Sequence, residues 1–151
     1  MYWLYLHRVW NQDRTVDSSN SLQIFHQNVR GLRSKTDGLI NCVAVDNNNP
    51  HVLCFSEHHM EEQDLLHLTL PGYILGSSFC HQNLQQGGVC IFVCRDPNFS
   101  KINILCNCEE KYSEICAIEL GTKSELHTLS LYRVSTGDFN QFIKNLDDVL
   151  K

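Results

Sequence analysis

The chain carries no surplus of positive charge: 12 Lys and Arg face 17 Asp and Glu, for a formal net charge of −5, and the sequence pI is near 5.8. That argues against a free-standing, non-specific nucleic-acid binder, whose affinity comes mainly from cations neutralising phosphates, while leaving room for a local contact to DNA. Long apolar runs are missing too. Residues 1–6 are apolar, but His7 and Arg8 interrupt them short of signal-peptide length, no small-residue cleavage site follows, and no later stretch could span a bilayer. The expectation is a soluble intracellular protein, nuclear or cytoplasmic, without a membrane partner.

Other signatures are absent as well. There is no internal repeat, no low-complexity tract and no Cys-x-x-Cys. Cys90 and Cys94, or Cys106 and Cys108, would share a strand face, but no paired histidine spacing completes a four-ligand zinc set. The eight cysteines fall instead inside apolar runs such as Val89-Cys90-Ile91-Phe92-Val93-Cys94, which reads as reduced, buried thiols. Gly87-Gly88 leads into a strand and not into a helix whose N-terminus could cradle phosphate, so a nucleotide-binding loop is not expected there.

What is present suffices for one packed domain: 42% of the 151 residues are apolar. Residues 11–21 are polar and aperiodic, so residues 1–21 read as a poorly ordered leader and residues 22–151 as the domain. Residues 22–29 form a strand-like run closed by a turn at Gly31. Ser34, with Asp37 behind it, suits the N-cap of a helix whose inward face is Ile40, Val43 and Ala44, and Asn47-Asn48-Asn49-Pro50 ends it. Residues 52–55 are continuously apolar and too short for a helix, as in a strand covered on both faces. A short helix over 61–68 follows, then strands over 73–79, 88–94, 101–108, 115–120 and 126–132. Phe139, Phe142, Ile143, Leu146 and Leu150 recur at helical spacing at the end. The class is α/β, with a parallel β-α-β start and then mostly antiparallel strands.

Strands joined by a crossover helix run parallel, so the first two strands should end at one sheet edge, where Asn28 and Glu57 stand. Polar groups at the carboxyl ends of parallel strands are where α/β proteins collect ligands. A carboxylate beside an amide oxygen suits a hard cation such as Mg²⁺. The plainer alternatives remain open on spacing alone: an Asn before a Gly turn is commonly a turn former, and a Glu leaving a strand is commonly solvated. His58 and His59, adjacent and pointing in different directions, read as ordinary loop.

The string Phe25-His26-Gln27-Asn28-Val29-Arg30-Gly31-Leu32, followed by Leu53-Cys54-Phe55-Ser56-Glu57-His58-His59, resembles the endonuclease/exonuclease/phosphatase family, in particular the apurinic-type endonuclease domain of non-LTR retrotransposons. Pro71-Gly72-Tyr73, Gly87-Gly88-Val89-Cys90-Ile91-Phe92-Val93 and Leu131-Tyr132-Arg133 follow in the family's order. Lipid and inositol phosphodiesterases share the superfold, but the Asn-Val-Arg-Gly-Leu-Arg string favours the retrotransposon branch. The resemblance implies a four-layer α/β sandwich that cuts a DNA phosphodiester with Mg²⁺, with a reverse-transcriptase region expected on the C-terminal side. Carried over by position, Glu57 is the metal-binding carboxylate, Asn28 the amide supporting metal and phosphate, and Tyr132 the hydroxyl orienting the scissile phosphate. Val134 stands near where the family often has proline, a departure in the loop after Tyr132.

The resemblance also implies two motifs after the tyrosine: an Asp-x-Asn on a later strand and an Asp-His pair. Gly137-Asp138-Phe139-Asn140 spells the first, with Asp138 as base and Asn140 as transition-state amide, but it follows Tyr132 too closely, and the spacing favours Asp138 as the cap of the final helix. No Asp-His pair follows Tyr132, since the last histidine is His127. The expectation is a partial sandwich, an N-terminal fragment inactive alone, with a non-catalytic interaction module or decayed remnant as the alternative.

Overall fold

Alternation of buried strands and amphipathic helices builds two sheets with helices outside them. The computed structural model describes residues 7–9, 22–45, 50–82, 86–95, 98–103, 113–121, 125–133 and 137–149. The first sheet, in order β2-β3-β5-β4, holds Ile24–Asn28 (β2), Val52–Ser56 (β3), Tyr73–Phe79 (β4) and Val89–Cys94 (β5). Its β2 and β3 are parallel and the other pairings antiparallel. The second sheet, β1-β8-β7-β6, is antiparallel and holds His7–Val9 (β1), Phe99–Ile102 (β6), Ser113–Gly121 (β7) and Glu125–Arg133 (β8).

Alternation along each strand divides the core in two. Leu53, Phe55, Cys90 and Phe92 face the helix α1 (Thr36–Val45) and the helix α2 (Glu62–His67), packing with Leu39 and Leu65. Phe55 sits between Phe25 and Phe92, ring centroids 6.4 and 6.1 Å away. Its complete burial is worth roughly 2–3 kcal/mol. The opposite faces of the same strands, Val52, Cys54, Val89, Ile91 and Val93, meet Cys116, Ile118 and Leu120 of the second sheet. A third helix, α3 (Phe139–Val149), lies on the far side of β7, where Asn145 donates to the Ser113 hydroxyl at 3.2 Å. The order helix, sheet, sheet, helix is the four-layer α/β sandwich.

Several local expectations change. Ser34 does not cap α1: it lies in a 3-10 turn, Arg33–Lys35, that runs into the helix, and its hydroxyl donates to the Gly31 carbonyl at 3.4 Å. On α1 the burial falls on Leu39 and partly on Ile40, while the side chains of Val43 and Ala44 lie outside the described residues. The strand expected over 101–108 is observed as Phe99–Ile102, and residues 104–112 are outside the described set. On α3, Phe142 and Leu146 are buried but Phe139 and Ile143 are exposed. Within the expected leader, His7–Val9 pairs with β8. Among the described residues no helix is long and apolar enough to cross a membrane. The described cysteines Cys54, Cys80, Cys90, Cys94 and Cys116 are not in disulfides, and the first, third and last of them are buried.

Candidate functional site

Asn28 and Ser56 are register partners at the ends of β2 and β3, which places Asn28 beside Glu57. The parallel ladder continues past both strands: Val29 N donates to Ser56 O at 3.0 Å, Gly31 N to Glu57 O at 2.8 Å and Leu32 N to His58 O at 3.0 Å. The two loops are therefore bonded to each other along the sheet edge. Lys35 adds its ammonium to the Val29 carbonyl. This tethering holds three non-glycine residues in the left-handed region, Arg30 (φ 45°), Glu57 (φ 55°) and His59 (φ 54°). Such conformations persist only where surrounding contacts over-determine them, and they gather at functional sites.

Tyr132 reaches the same place from the other sheet. Near the end of β8, its hydroxyl donates to Glu57 Oε1 at 2.8 Å, and Asn28 Nδ2 donates to the same oxygen at 2.8 Å. Glu57 Oε2 faces Arg30 Nε at 3.9 Å and His59 Nε2 at 4.0 Å, both too far for a hydrogen bond. The Glu57 side chain keeps 15% of its surface exposed, and the Arg30 side chain 67%. Burial, followed by the hydrogen bond to the Glu57 carboxylate, pushes the Tyr132 phenol up to about 12. It remains a proton donor throughout the physiological range.

All three residues expected at the site thus converge. The amide of Asn28 is oriented differently from the expectation of an oxygen beside the carboxylate. Its NH₂ faces Glu57, and its Oδ1 accepts from Arg30 N at 3.2 Å. Asp138 is engaged elsewhere: its Oδ1 accepts from Asn140 N at 2.7 Å and from Gln141 N at 3.0 Å, the bonding of an N-cap on α3. Asn140 lies exposed in the first turn of that helix. Among the described residues, no group of three or more His, Cys, Asp or Glu side chains could hold a metal ion.

Sequence reasoning missed the support beneath the site. His58, expected in an ordinary loop, is 1% exposed; its Nδ1 accepts from Met60 N at 3.0 Å, which leaves Nε2 to donate to Phe79 O at 3.1 Å. Burial pushes its imidazole down to about 4. His58 N and His59 N donate to the carbonyls of Gly88 and Gly87 at 3.2 and 2.9 Å. Gly88 has φ +87°, and a Cβ there would collide with the His58 ring. The legible signal was the glycine pair, whose purpose depends on a histidine far away in sequence.

No family model matches the chain, and no curated protein matches it. Among solved structures it is similar to the Xenopus laevis APE2 catalytic domain, with a TM-score of 0.47 and 15% identity, covering 85% of this chain and 49% of that one. The chain therefore spans about half the length of the structure it matches.

Proposed function

We propose that this chain supplies the cation- and phosphate-binding half of a Mg²⁺-dependent phosphodiesterase site, as in the DNA-nicking endonuclease domain of a non-LTR retrotransposon, and that it does not cut DNA alone. The observation that carries this reading is the convergence of Asn28 and Tyr132 on one oxygen of Glu57, at the carboxyl ends of parallel strands and on left-handed backbone.

The donor set fits the ion. Mg²⁺ takes oxygen ligands, keeps several of its waters and commonly uses one or two protein carboxylates. Glu57 Oε2, whose ion-pair partners among the described residues stand at 3.9 and 4.0 Å, is the oxygen that would hold it. When bound, the ion supplies Lewis acidity toward a phosphoryl oxygen. Asn28 keeps the carboxylate oriented. Tyr132, protonated and 2.8 Å from Glu57, can turn its donor toward a phosphate oxygen, and the exposed Arg30 adds a cation beside it.

Hydrolysis also needs a positioned base for the attacking water and stabilisation of the leaving side. Among the described residues, the side chains bonded to or ion-paired with Glu57 are those of Asn28, Tyr132, Arg30 and His59, and the nearby carboxylate Glu114 is tied up by His81 and the Gly88 amide. Asp138 serves as a helix cap. The reading is tested with supercoiled plasmid and Mg²⁺, using the chain alone and the chain joined to the Asp-x-Asn and Asp-His half of an apurinic-type endonuclease. Nicking by the joined protein only, silenced by Glu57→Ala or EDTA, is expected. Nicking by the chain alone, silenced by the same controls, would place the base within this chain and overturn the half-site reading.

A further inference from the structure

A buried carboxylate stands outside the proposed ligand set. Glu114 of β7 is the register partner of Tyr132 and lies on the face turned toward the other sheet. Its side chain is 2% exposed, and burial pushes the carboxyl up against the opposing pull of its partners. Its Oε2 accepts from Gly88 N at 2.8 Å, and its Oε1 lies 2.6 Å from His81 Nε2, whose side chain is 3% exposed.

These bonds connect to the site through main chain. Glu114 holds Gly88 N; the Gly87 and Gly88 carbonyls hold His59 N and His58 N; and those two residues directly follow Glu57. A Cβ on Gly87 would stand 2.5 Å from both Glu114 Oε1 and His81 Nε2, so the glycine pair lets a carboxylate and two imidazoles close around one turn. Burying a carboxylate and an imidazole together is costly, and an apolar pair of similar volume would be at least as stable in a merely structural role. An apolar residue here would also leave the Gly88 amide without its acceptor.

We infer that Glu114, anchored by His81, is a positioning residue for Glu57: it fixes the Gly87-Gly88 turn on which the loop following Glu57 hangs, and so sets the affinity of the site for a divalent cation. This rests on the reading of Glu57 as a cation ligand. The His81 imidazole keeps Glu114 aimed at the turn.

The test uses the full chain as wild type, Glu114→Ala, Glu114→Gln and Glu57→Ala, with residue-resolved amide exchange by NMR and calorimetric titration with Mn²⁺. In Glu114→Ala, exchange of the His58 and His59 amides is expected to rise about tenfold relative to the amides of Val52–Ser56, and Mn²⁺ affinity to fall about tenfold. Glu114→Gln keeps an oxygen for Gly88 N and is expected to restore both to within about threefold of wild type. Unchanged exchange at His58 and His59, equal acceleration through all strands, or a Gln variant no better than Ala would overturn the inference. Should Glu114→Ala fail to fold, His81→Ala carries the same comparison, with selective acceleration at His58 and His59 expected and its absence contradicting. Equal Mn²⁺ binding by wild type and Glu57→Ala would remove the cation reading of Glu57, whereas the exchange data separately decide whether Glu114 holds the loop.

Discussion

Glu57 divides its two oxygens between different tasks. Oε1 takes hydrogen bonds from Asn28 and Tyr132, and Oε2 looks toward Arg30 and His59 across 3.9 and 4.0 Å. His58, one residue on, does the opposite work inside the core. Its imidazole is held neutral by burial, with its ordinary value of 6.5 lowered to about 4. The unfolded chain binds a proton at the ordinary value and the folded chain resists it. The stability contributed by the neutral ring is therefore complete above pH 6.5 and is lost as pH falls through about 4. Unfolding free energies from urea denaturation across that window should fall with a slope of up to about 1.4 kcal/mol per pH unit from this group. In His58→Gln the dependence should flatten in that window, although the starting stability is lower. An unchanged slope in the variant would show that His58 is not the titrating group. Asn28 and Glu57 were legible because each ends an apolar run. The tasks of His58 and Glu114 were not, because both depend on contacts with residues distant in sequence.

At the level of elements, the site comes from the way strands stop. β2 and β3 end in register, and their loops keep exchanging main-chain hydrogen bonds through Leu32 N and His58 O. That ladder, with the side chains of Lys35 and Asn28 bonded to the Val29 carbonyl and the Arg30 amide, holds the loops in which Arg30, Glu57 and His59 are left-handed. α3 bears on the alternative reading of Asp138, which satisfies two free amides of its first turn. Asp138→Ala should cost about 1 kcal/mol in chemical denaturation, as for other N-caps, with metal affinity unchanged. A loss of metal affinity without loss of stability would instead return Asp138 to the site. The sequence pattern was most informative where burial is continuous, as along Val52–Ser56, since every residue there is buried. It was least informative at Ser34, where a 3-10 turn precedes the helix, and at Phe139 and Ile143, where apolar residues at helical spacing stay exposed. Helical period marks a face but not whether a neighbour covers it.

For the molecule as a whole, the site is a joint between two sheets. Asn28 and Glu57 come from the first and Tyr132 from the second, and the apolar layer of Cys54, Ile91, Ile118 and Leu120 sets the spacing across which the phenol reaches the carboxylate. Glu114 crosses the same interface to the Gly87-Gly88 turn. Sheet packing and site geometry therefore stand or fall together. The parallel start of the chain was legible in the sequence, whereas the family resemblance gave Tyr132 only a role toward the scissile phosphate, and its bond to Glu57, 75 residues away, was not legible there. We propose that Glu57 holds a divalent cation, with Asn28 and Tyr132 orienting its carboxylate. The most direct measurement of this is a Mg²⁺ titration of the full chain followed by amide and side-chain chemical shifts. Saturable changes confined to Asn28, Arg30, the residues around Glu57 and Tyr132 are expected, abolished in Glu57→Ala while the core signals stay in place. Changes that persist in Glu57→Ala, or no saturable change in the wild type, would contradict it.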